Sequence, residues 1–279
     1  MKHLIKIGAT VAMGAPAGSP FPLLTTDYRH TADWLACHGF DSMEIHIRTP
    51  DMVNGPELAA HCHNIGMEVS SIGTGMAYGM EGLSLTSPSK DIRKAAIQRL
   101  KEQMDLSRCF QCPVIIGSMR GVIEKGETFN DVDSRMVESM VELADYAHKT
   151  DTELVIEAID RFETNYLKTA DDVLSLIGRV GSDRVLVHLD TYHMNLEEKD
   201  WRSPIIRCGK RLGHVHVADN TRYYPGWGLI DFRPIISYLL EIGYDRSLTL
   251  ECYPVPNGEE SVLAGLKHLE AVMSAYSGR

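Results

Sequence analysis

The chain of 279 residues lacks features on which several classes of protein depend. Its 6 cysteines are too few for the disulfide framework of a small secreted domain. No stretch reaches the roughly 18 consecutive apolar residues of a membrane-spanning helix. Lys6 interrupts the apolar run near the N-terminus that a signal peptide would need. We therefore expect a cytoplasmic protein without a membrane partner.

Basic charge is also scarce. Lysine and arginine number 28, against 38 aspartates and glutamates, and the formal net charge is -10. Proteins that bind nucleic acid use clustered lysine and arginine to neutralise phosphates. The charge balance therefore argues against a nucleic-acid partner.

One pair of cysteines, Cys109 and Cys112, has the C-x2-C spacing of redox and zinc sites. A redox pair of this kind lies at the N-terminus of a helix, where the helix dipole stabilises a thiolate. Here the pair follows a long amphipathic pattern, so it lies at the opposite end of a helix. A structural zinc site would need a second pair. We expect two ordinary thiols.

Short β-branched runs alternate with longer amphipathic stretches along the whole chain. The strand candidates span residues 4–11, 42–48, 68–74, 113–118, 153–159, 184–190, 212–218 and 247–253. The helical patterns span residues 27–40, 55–66, 87–110, 131–150, 169–181, 231–244 and 258–276, with a weak helix within 197–211.

This alternation predicts an α/β protein with a parallel sheet. An open doubly wound sheet usually has five or six strands and a G-x-G-x-x-G first turn, which the sequence lacks. Eight βα units in a chain of this length favour a (β/α)8 TIM barrel over that alternative. No linker-like run interrupts the pattern, so we expect a single domain over residues 1–279.

Four consecutive strand candidates carry residues of the types that bind metals, at or near their C-terminal ends. These residues are Glu157, Asp190, His216 and Glu251. In a TIM barrel this end of the strands holds the active site. Each residue alone is more typical of a salt bridge or of packing, but buried charges at four matching positions need a cation between them. One nitrogen and three oxygen ligands favour a single divalent ion, Mn, Mg or Co, with Zn also compatible.

The predicted ligands suggest a chemistry. A divalent ion with open positions binds two adjacent oxygens of an α-hydroxy ketone and stabilises the enediolate that forms when the α-proton leaves. Glu157 and Glu251 come from strands with two others between them, so they can flank such a substrate. One glutamate would remove a proton from one face, and the other would return a proton to the opposite face.

Five motifs share a resemblance to one family. They are IEAIDRFET (156–164), LDTYHMNLEE (189–198), GHVHVADNTR (213–222), PGWGLIDF (225–232) and LECYP (250–254). Together they resemble the xylose-isomerase-like sugar isomerases and epimerases, and most of all the ketose 3-epimerases of the tagatose and psicose type. The resemblance is strongest from about residue 153 to residue 253, and the barrel frame extends it to most of the chain.

The resemblance implies roles for individual residues. The four predicted ligands match the metal ligands of the family, and the two glutamates among them match its acid/base pair. Glu163, His193 and Arg222 match residues that contact the substrate. The resemblance also implies a small-molecule sugar substrate and a homo-oligomer, either a dimer or a tetramer.

The N-terminal half matches the family less well. Arg120 follows the fourth strand candidate, and Arg48 is the last residue of the second. Arginines at the mouth of the barrel would bind a phosphate or carboxylate group of the substrate, whereas the alternative is that both pair with surface carboxylates. Trp227 lies in the loop after the seventh strand candidate, either as a residue that stacks on the sugar or as loop packing.

The leading hypothesis is C3 epimerisation of a ketose or related keto sugar, free, phosphorylated or acidic. Three alternatives use the same metal-enediolate chemistry: an aldose–ketose isomerase, a hydroxypyruvate-type isomerase, and a lyase or dehydratase. Related barrels that cleave DNA at abasic sites need further histidine and aspartate ligands and a basic face, and the net charge of -10 argues against that function. A metal-stabilised barrel without catalysis is the remaining alternative.

Overall fold

The sheet closes on itself. A computed structural model describes residues 3–276, and in it the first strand pairs with both the second strand of the barrel and the last. The strands are β1 (Lys6–Ala12), β2 (Leu23–Leu24), β3 (Ser42–His46), β4 (Glu68–Gly73), β5 (Val114–Ile116), β6 (Leu154–Glu157), β7 (Val185–Asp190), β8 (Leu212–Val217) and β9 (Ser247–Leu250). All pairings are parallel, and the short β2 lies beside β1 outside the closed ring.

Helices surround the barrel. They are α1 (Tyr28–Cys37), α2 (Gly55–Ile65), α3 (Gly75–Glu81), α4 (Lys90–Ser107), α5 (Phe129–Thr150), α6 (Ala170–Val180), α7 (Thr191–Glu197), α8 (Arg202–Cys208), α9 (Phe232–Glu241) and α10 (Gly258–Ser274). Local sequence explains several boundaries. Thr128 and Thr169 each form a capping box with the aspartate three residues later. Gly66 and Gly181 end α2 and α6 in the left-handed conformation that glycine adopts most easily.

The fold confirms the (β/α)8 TIM barrel, and the pairing of β1 with β9 excludes the open sheet. All eight strand candidates form strands of the barrel, and the weak helix within 197–211 forms the two turns of α8. Helices α3 and α7 were not predicted from the sequence. The predicted domain limits, residues 1 and 279, lie outside the described residues. Between residues 3 and 276, no helix is long and apolar enough to cross a membrane.

The C-x2-C pair follows the C-terminal end of α4, as predicted. Both Cys109 and Cys112 are free thiols. Burial raises the pKa of the Cys112 thiol far above its ordinary value, so this thiol stays protonated and unreactive.

The inside of the barrel differs from its outside. A large apolar core fills the space between strands and helices. Inside the barrel, Ile115, Val155 and Leu186 form a small apolar cluster near the N-terminal ends of the strands. Buried polar side chains, among them Glu44 and His188, lie above that cluster. TIM-barrel interiors are dominated by valine, isoleucine and leucine, so this polar filling points to function at the C-terminal end.

Candidate active site and metal centre

The strand ends bring the four predicted metal ligands together. Glu157 ends β6, Asp190 ends β7, His216 lies on β8, and Glu251 directly follows β9. Ligand atoms of all four residues lie within 4.8 Å of one another, and all four residues are buried. The parallel register of neighbouring strands produces this convergence, because it pairs Glu157 with His188 and Asp190 with His216.

Buried polar atoms in this cluster have no hydrogen-bond partner. Among the described residues, Nδ1 of His216 and Oδ2 of Asp190 are buried and unpaired. Nδ1 of His216 lies 3.6 Å from Oε2 of Glu251 and 3.9 Å from Oε1 of Glu157. Three carboxylates and an imidazole at this spacing need positive charge between them. The donor set of one nitrogen and three oxygens therefore fits a divalent metal ion.

Asp190 has two structural tasks. Its Oδ1 accepts a hydrogen bond of 2.7 Å from the backbone N–H of Tyr192, so Asp190 is the N-cap of α7. Aspartate is a favoured N-cap residue. This bond fixes the side-chain rotamer and leaves Oδ2 facing the other ligands. The helix that the sequence analysis missed thus positions one of the predicted ligands.

The two glutamates have opposite protonation preferences. Burial raises the pKa of Glu157 to about 7, with the charge of Glu251 adding to the effect. Burial also opposes ionisation of Glu251, but His216 and Arg222 beside it lower its pKa to about 2. In the metal-free protein one carboxyl thus holds a proton near neutral pH, and the other is ionised. A pair of carboxyls with separated pKa values is a common acid/base arrangement.

His193 lies next to the cluster in a fixed orientation. Its Nδ1 lies 2.6 Å from Oδ2 of Asp160, and its Nε2 is buried without a partner, 3.7 Å from Oε1 of Glu157. Burial disfavours the charged imidazole, but Asp190 and Asp160 raise the pKa of His193 above its ordinary value. Nε2 is therefore available as a hydrogen-bond donor. The sequence analysis did not identify Asp160, although it stands within the motif 156–164.

Arg222 connects two carboxylates across the site. Its Nη2 donates to Oε2 of Glu251 at 3.2 Å, and its Nη1 donates to Glu163. The guanidinium lies over the ring of Tyr192, 5.1 Å from the ring centroid. The backbone of Arg222 has φ +60°, and its N–H donates to the carbonyl of Asp219 at 2.8 Å. This turn directs the arginine toward the strand ends.

A cavity of about 240 Å³ opens at this end of the barrel. Its polar lining includes Glu157, Glu163, His193, His216, Arg222, Glu251 and His46. Its apolar lining includes Phe21, Met76, Met80 and Ile159. Five of the predicted catalytic and substrate-binding residues thus share one cavity with the predicted metal ligand His216.

The structure places Arg120 outside this cavity. Arg120 is only 1% exposed, and its Nη1 donates to the backbone carbonyls of Glu157 and Leu167. Its guanidinium is therefore turned into the protein, behind β6. This placement contradicts the expectation that Arg120 binds a phosphate or carboxylate group of the substrate. Arg48 lies 3.9 Å from Glu81 with almost half of its side chain exposed, as the surface-pairing alternative expects.

Trp227 is also outside the cavity. Its ring packs edge-on against Tyr223 and Tyr224, with ring centroids 5.4 and 5.5 Å apart, and the residue is 50% exposed. Loop packing, the alternative in the sequence analysis, describes this arrangement. The ring of Trp227 therefore does not line the cavity.

Glu44 is a residue of the site that the sequence analysis missed. It lies on β3, is fully buried, and accepts a hydrogen bond from Nε2 of His216 at 3.0 Å. A signal was present in the segment SMEIHIR, because Glu44 and His46 alternate with apolar residues and so share the inner face of the strand.

A second and larger cavity, of about 720 Å³, lies at the N-terminal ends of the strands. Four of its charged side chains form two ion pairs, Lys6 with Glu68 and Arg246 with Glu153. Within residues 3–276, none of the clusters of three or more potential metal-binding side chains lies in this cavity. Because TIM-barrel active sites lie at the opposite end, we assign no chemistry to it.

Comparison with known proteins agrees with this site. Residues 32–272 match the family model of the xylose isomerase-like TIM barrel. L-ribulose 3-epimerase of Mesorhizobium japonicum is 30% identical over 219 residues, which cover 77% of this chain and 72% of that protein. A 3-dehydro-D-guloside 4-epimerase of Escherichia coli is 33% identical over 122 residues, 43% of this chain and 47% of that protein.

A solved structure extends the similarity to the whole barrel. The crystal structure of D-psicose 3-epimerase with D-tagatose from Clostridium cellulolyticum H10 superposes with a TM-score of 0.80 at 25% identity. The match covers 96% of this chain and 99% of that one. Fold, site and relatives agree: this chain belongs to the xylose isomerase-like TIM barrel family, in the branch that contains the ketose 3-epimerases.

Proposed function

We propose that this protein is a divalent-metal-dependent epimerase that inverts C3 of a ketose or a related keto sugar. The observation that carries the proposal is the pair Glu157 and Glu251, which face one cavity with ligand atoms within 4.8 Å and have pKa values of about 7 and about 2. Similarity to the L-ribulose 3-epimerase supports the substrate class.

The two glutamates divide the proton transfers. A bound divalent ion would polarise the ketone and its neighbouring hydroxyl, which makes the hydrogen on the carbon between them acidic. Glu251, ionised beside Arg222, takes that proton and leaves an enediolate. Glu157, which lines the same cavity, returns a proton taken from solvent to the opposite face. In the reverse direction the two residues exchange roles.

Three residues hold the substrate in this proposal. His193 donates from Nε2 to a substrate oxygen, since Asp160 occupies its other nitrogen. Glu163 accepts from sugar hydroxyls, and Arg222 orients both Glu163 and Glu251. Such fixed donors and acceptors keep the reacting carbon between the two carboxyl groups.

The charges that line the cavity favour a neutral sugar. Arg222 is the one arginine among the described lining residues, no lysine lines the cavity there, and Arg222 already contacts two carboxylates. A phosphate group would need a free bidentate arginine or several donors. We therefore assign an unphosphorylated keto sugar. The volume of about 240 Å³ is below the roughly 300–1,000 Å³ of sites for drug-sized ligands.

Manganese is the metal that we assign, because it accepts carboxylate-rich sites with an imidazole ligand. Cobalt, magnesium and zinc are the competitors.

Six free cysteines suit the reducing cytoplasm. A dimer or tetramer would cover Phe162 and Leu229, which are 77% and 89% exposed. Sedimentation velocity on the metal-loaded protein tests the oligomeric state.

A second candidate is epimerisation at C4 of a 3-keto sugar. The similarity to the 3-dehydro-D-guloside 4-epimerase favours this candidate. The chemistry is the same, because C4 of such a sugar is also next to the ketone. Aldose–ketose isomerisation and the lyase reaction differ from both in the carbon that exchanges or in the loss of a leaving group.

Solvent exchange observed by NMR tests the proposal. The Mn-loaded protein is incubated in D2O with free ketoses, ketose phosphates and 3-keto sugars, and protein stripped with EDTA is the control. We expect metal-dependent deuterium at C3 of a free ketose. Deuterium at C4 of a 3-keto sugar would favour the second candidate, and exchange restricted to phosphorylated sugars would contradict the assignment of a neutral substrate.

A further inference from the structure

Glu44 is a buried carboxylate on the inner face of the barrel. It is 0% exposed, and its described ion-pair partners are all histidines. A buried charge is costly unless its hydrogen bonds are satisfied. The residues around Glu44 must therefore supply donors, and the identity of those donors shows what the carboxylate does.

The donors are three imidazoles and one hydroxyl. Nε2 of His46 lies 2.5 Å from Oε1, Nε2 of His214 lies 2.7 Å from Oε2, and Nε2 of His216 lies 3.0 and 3.1 Å from the two oxygens. The hydroxyl of Ser71 donates to Oε2. Four donors satisfy the lone pairs of an ionised carboxylate.

An ionised carboxylate only accepts hydrogen bonds, so each of these Nε2 atoms must carry hydrogen. For His216 this has a direct consequence at the candidate metal centre. A neutral imidazole with hydrogen on Nε2 has its lone pair on Nδ1. Nδ1 of His216 is the unpaired atom that lies 3.6 Å from Glu251 and 3.9 Å from Glu157.

The neighbouring His188 shows what an imidazole in this interior does without such a partner. Neither ring nitrogen of His188 has a hydrogen-bond partner within the described part of the chain, and its ring packs edge-on against His216 at a centroid distance of 4.1 Å. Nothing fixes which nitrogen of His188 carries hydrogen. The difference between His188 and His216 is the contact with Glu44.

We propose that Glu44 is the positioning residue of the metal centre: it holds His216 with hydrogen on Nε2 and so presents Nδ1 to the metal. The same carboxylate orients His46, whose ring lines the cavity against Phe21 at a centroid distance of 4.2 Å. Glu44 is not among the residues that line the cavity. The inference rests on the proposed function, which supplies the metal. Metal-bound histidines commonly donate their second N–H to a carboxylate in this way.

The test replaces Glu44 with glutamine. The amide of Glu44→Gln has the same shape, but its NH2 group can only donate, so at least one imidazole must move its hydrogen to Nδ1 or lose its bond. We expect the dissociation constant for Mn²⁺, measured by EPR of free Mn²⁺, to rise about 10–100-fold. Glu153→Gln, the same change in a carboxylate at the other end of the barrel, is the control and should leave it unchanged.

A second readout separates positioning from a general loss of structure. In Zn²⁺-loaded protein labelled with ¹⁵N-histidine, long-range ¹H–¹⁵N spectra should place the hydrogen of His216 on Nε2 in the wild type. In the Glu44→Gln protein, the spectrum of His216 should no longer show a single form with hydrogen on Nε2. Glu44→Asp keeps the carboxylate and should restore the pattern and part of the affinity, and it decides the question if the glutamine variant does not fold.

If folded Glu44→Gln protein keeps its Mn²⁺ affinity and its His216 spectrum, the positioning role of Glu44 is wrong, while the proposed function is unaffected. Failure of the wild type to bind any of Mn²⁺, Mg²⁺, Co²⁺ or Zn²⁺ would overturn the proposed function, and the positioning role with it. The two failures are distinguishable because the first requires a wild-type protein that binds metal.

Discussion

The two ends of the barrel use charged side chains in different ways. At the N-terminal end, Lys6 pairs with Glu68 and Arg246 pairs with Glu153, each at 2.7 Å. Each pair has one cation and one anion, and each is partly exposed to solvent. These pairs are complete without any further group.

At the C-terminal end the charges are not balanced in pairs. Three buried carboxylates surround His216, and Oδ2 of Asp190 and Nδ1 of His216 remain without partners in the described chain. Buried polar groups in native proteins are nearly always satisfied. This contrast is the reason that we place the proposed chemistry at the C-terminal end and none in the larger cavity. In the proposed function, a cation and a substrate supply the partners of these atoms.

The largest effect is expected from the acid/base pair. Glu157→Gln or Glu251→Gln removes a proton carrier and a charged ligand together, so turnover should fall by at least about 10³-fold. Circular dichroism should show a retained fold. The matched change Glu68→Gln, at the other end of the barrel, should keep turnover within twofold. Near-wild-type turnover in either catalytic variant would exclude the two-base mechanism.

The next effect concerns metal binding. Asp190→Asn keeps a side-chain oxygen that can cap α7, because asparagine is as good an N-cap as aspartate, but it removes the negative charge of the ligand. Loss of an outer-shell partner typically weakens metal binding roughly 10–100-fold. We expect the dissociation constant for Mn²⁺ to rise by more than this, because Asp190 is a proposed direct ligand. The melting temperature of the metal-free protein should change little. Unaltered Mn²⁺ affinity would remove Asp190 from the ligand set.

The pH dependence of metal binding follows from Glu157 and His216. Burial raises the pKa of Glu157 to about 7. Burial disfavours the charged form of His216, but Glu44 and Glu251 raise the pKa of His216 well above its ordinary value. Both protons must leave before an ion can bind. Below about pH 7 the affinity for Mn²⁺ should therefore fall at least tenfold for each pH unit, with a shallower slope above. EPR titrations between about pH 5.5 and 8.5 measure this slope, and a flat profile would contradict it.

The smallest effect is expected at the N-terminal end. Lys6→Ala breaks a partly exposed ion pair, which typically contributes less than about 1 kcal/mol to the free energy of unfolding. Denaturant unfolding should show that small loss, and turnover should stay within twofold of the wild type. A tenfold loss of turnover would mean that the two ends of the barrel are coupled.

Much of the fold could be predicted from the sequence, because β-branched runs and capped amphipathic segments are local signals. The four proposed ligands could also be predicted, since parallel strand ends meet at one edge and each ligand stands at such an end. The helix α7 was missed because its N-cap is Asp190, which was interpreted only as a metal ligand. Short α3 follows a glycine-rich segment that resembles a loop.

Contacts between distant residues were beyond the sequence. Glu44 and His216 are 172 residues apart, and nothing in one sequence links them. The sequence places Arg120 just after a strand, but it does not show in which direction the side chain points. Whether such an arginine faces the cavity or the backbone of β6 depends on the carbonyls of Glu157 and Leu167, which become available only in the folded protein.

The central claim is that two different carboxyl groups handle the proton, and isotope tracing in D2O tests it most directly. The Mn-loaded enzyme is given the ketose that it converts, and the reaction is stopped within the first few per cent of conversion. Product should carry deuterium at the inverted carbon, while unreacted substrate keeps its original hydrogen. Transfer of the original hydrogen into the product would show that a single group removes and returns it, and would contradict the assignment of Glu157 and Glu251 as a pair.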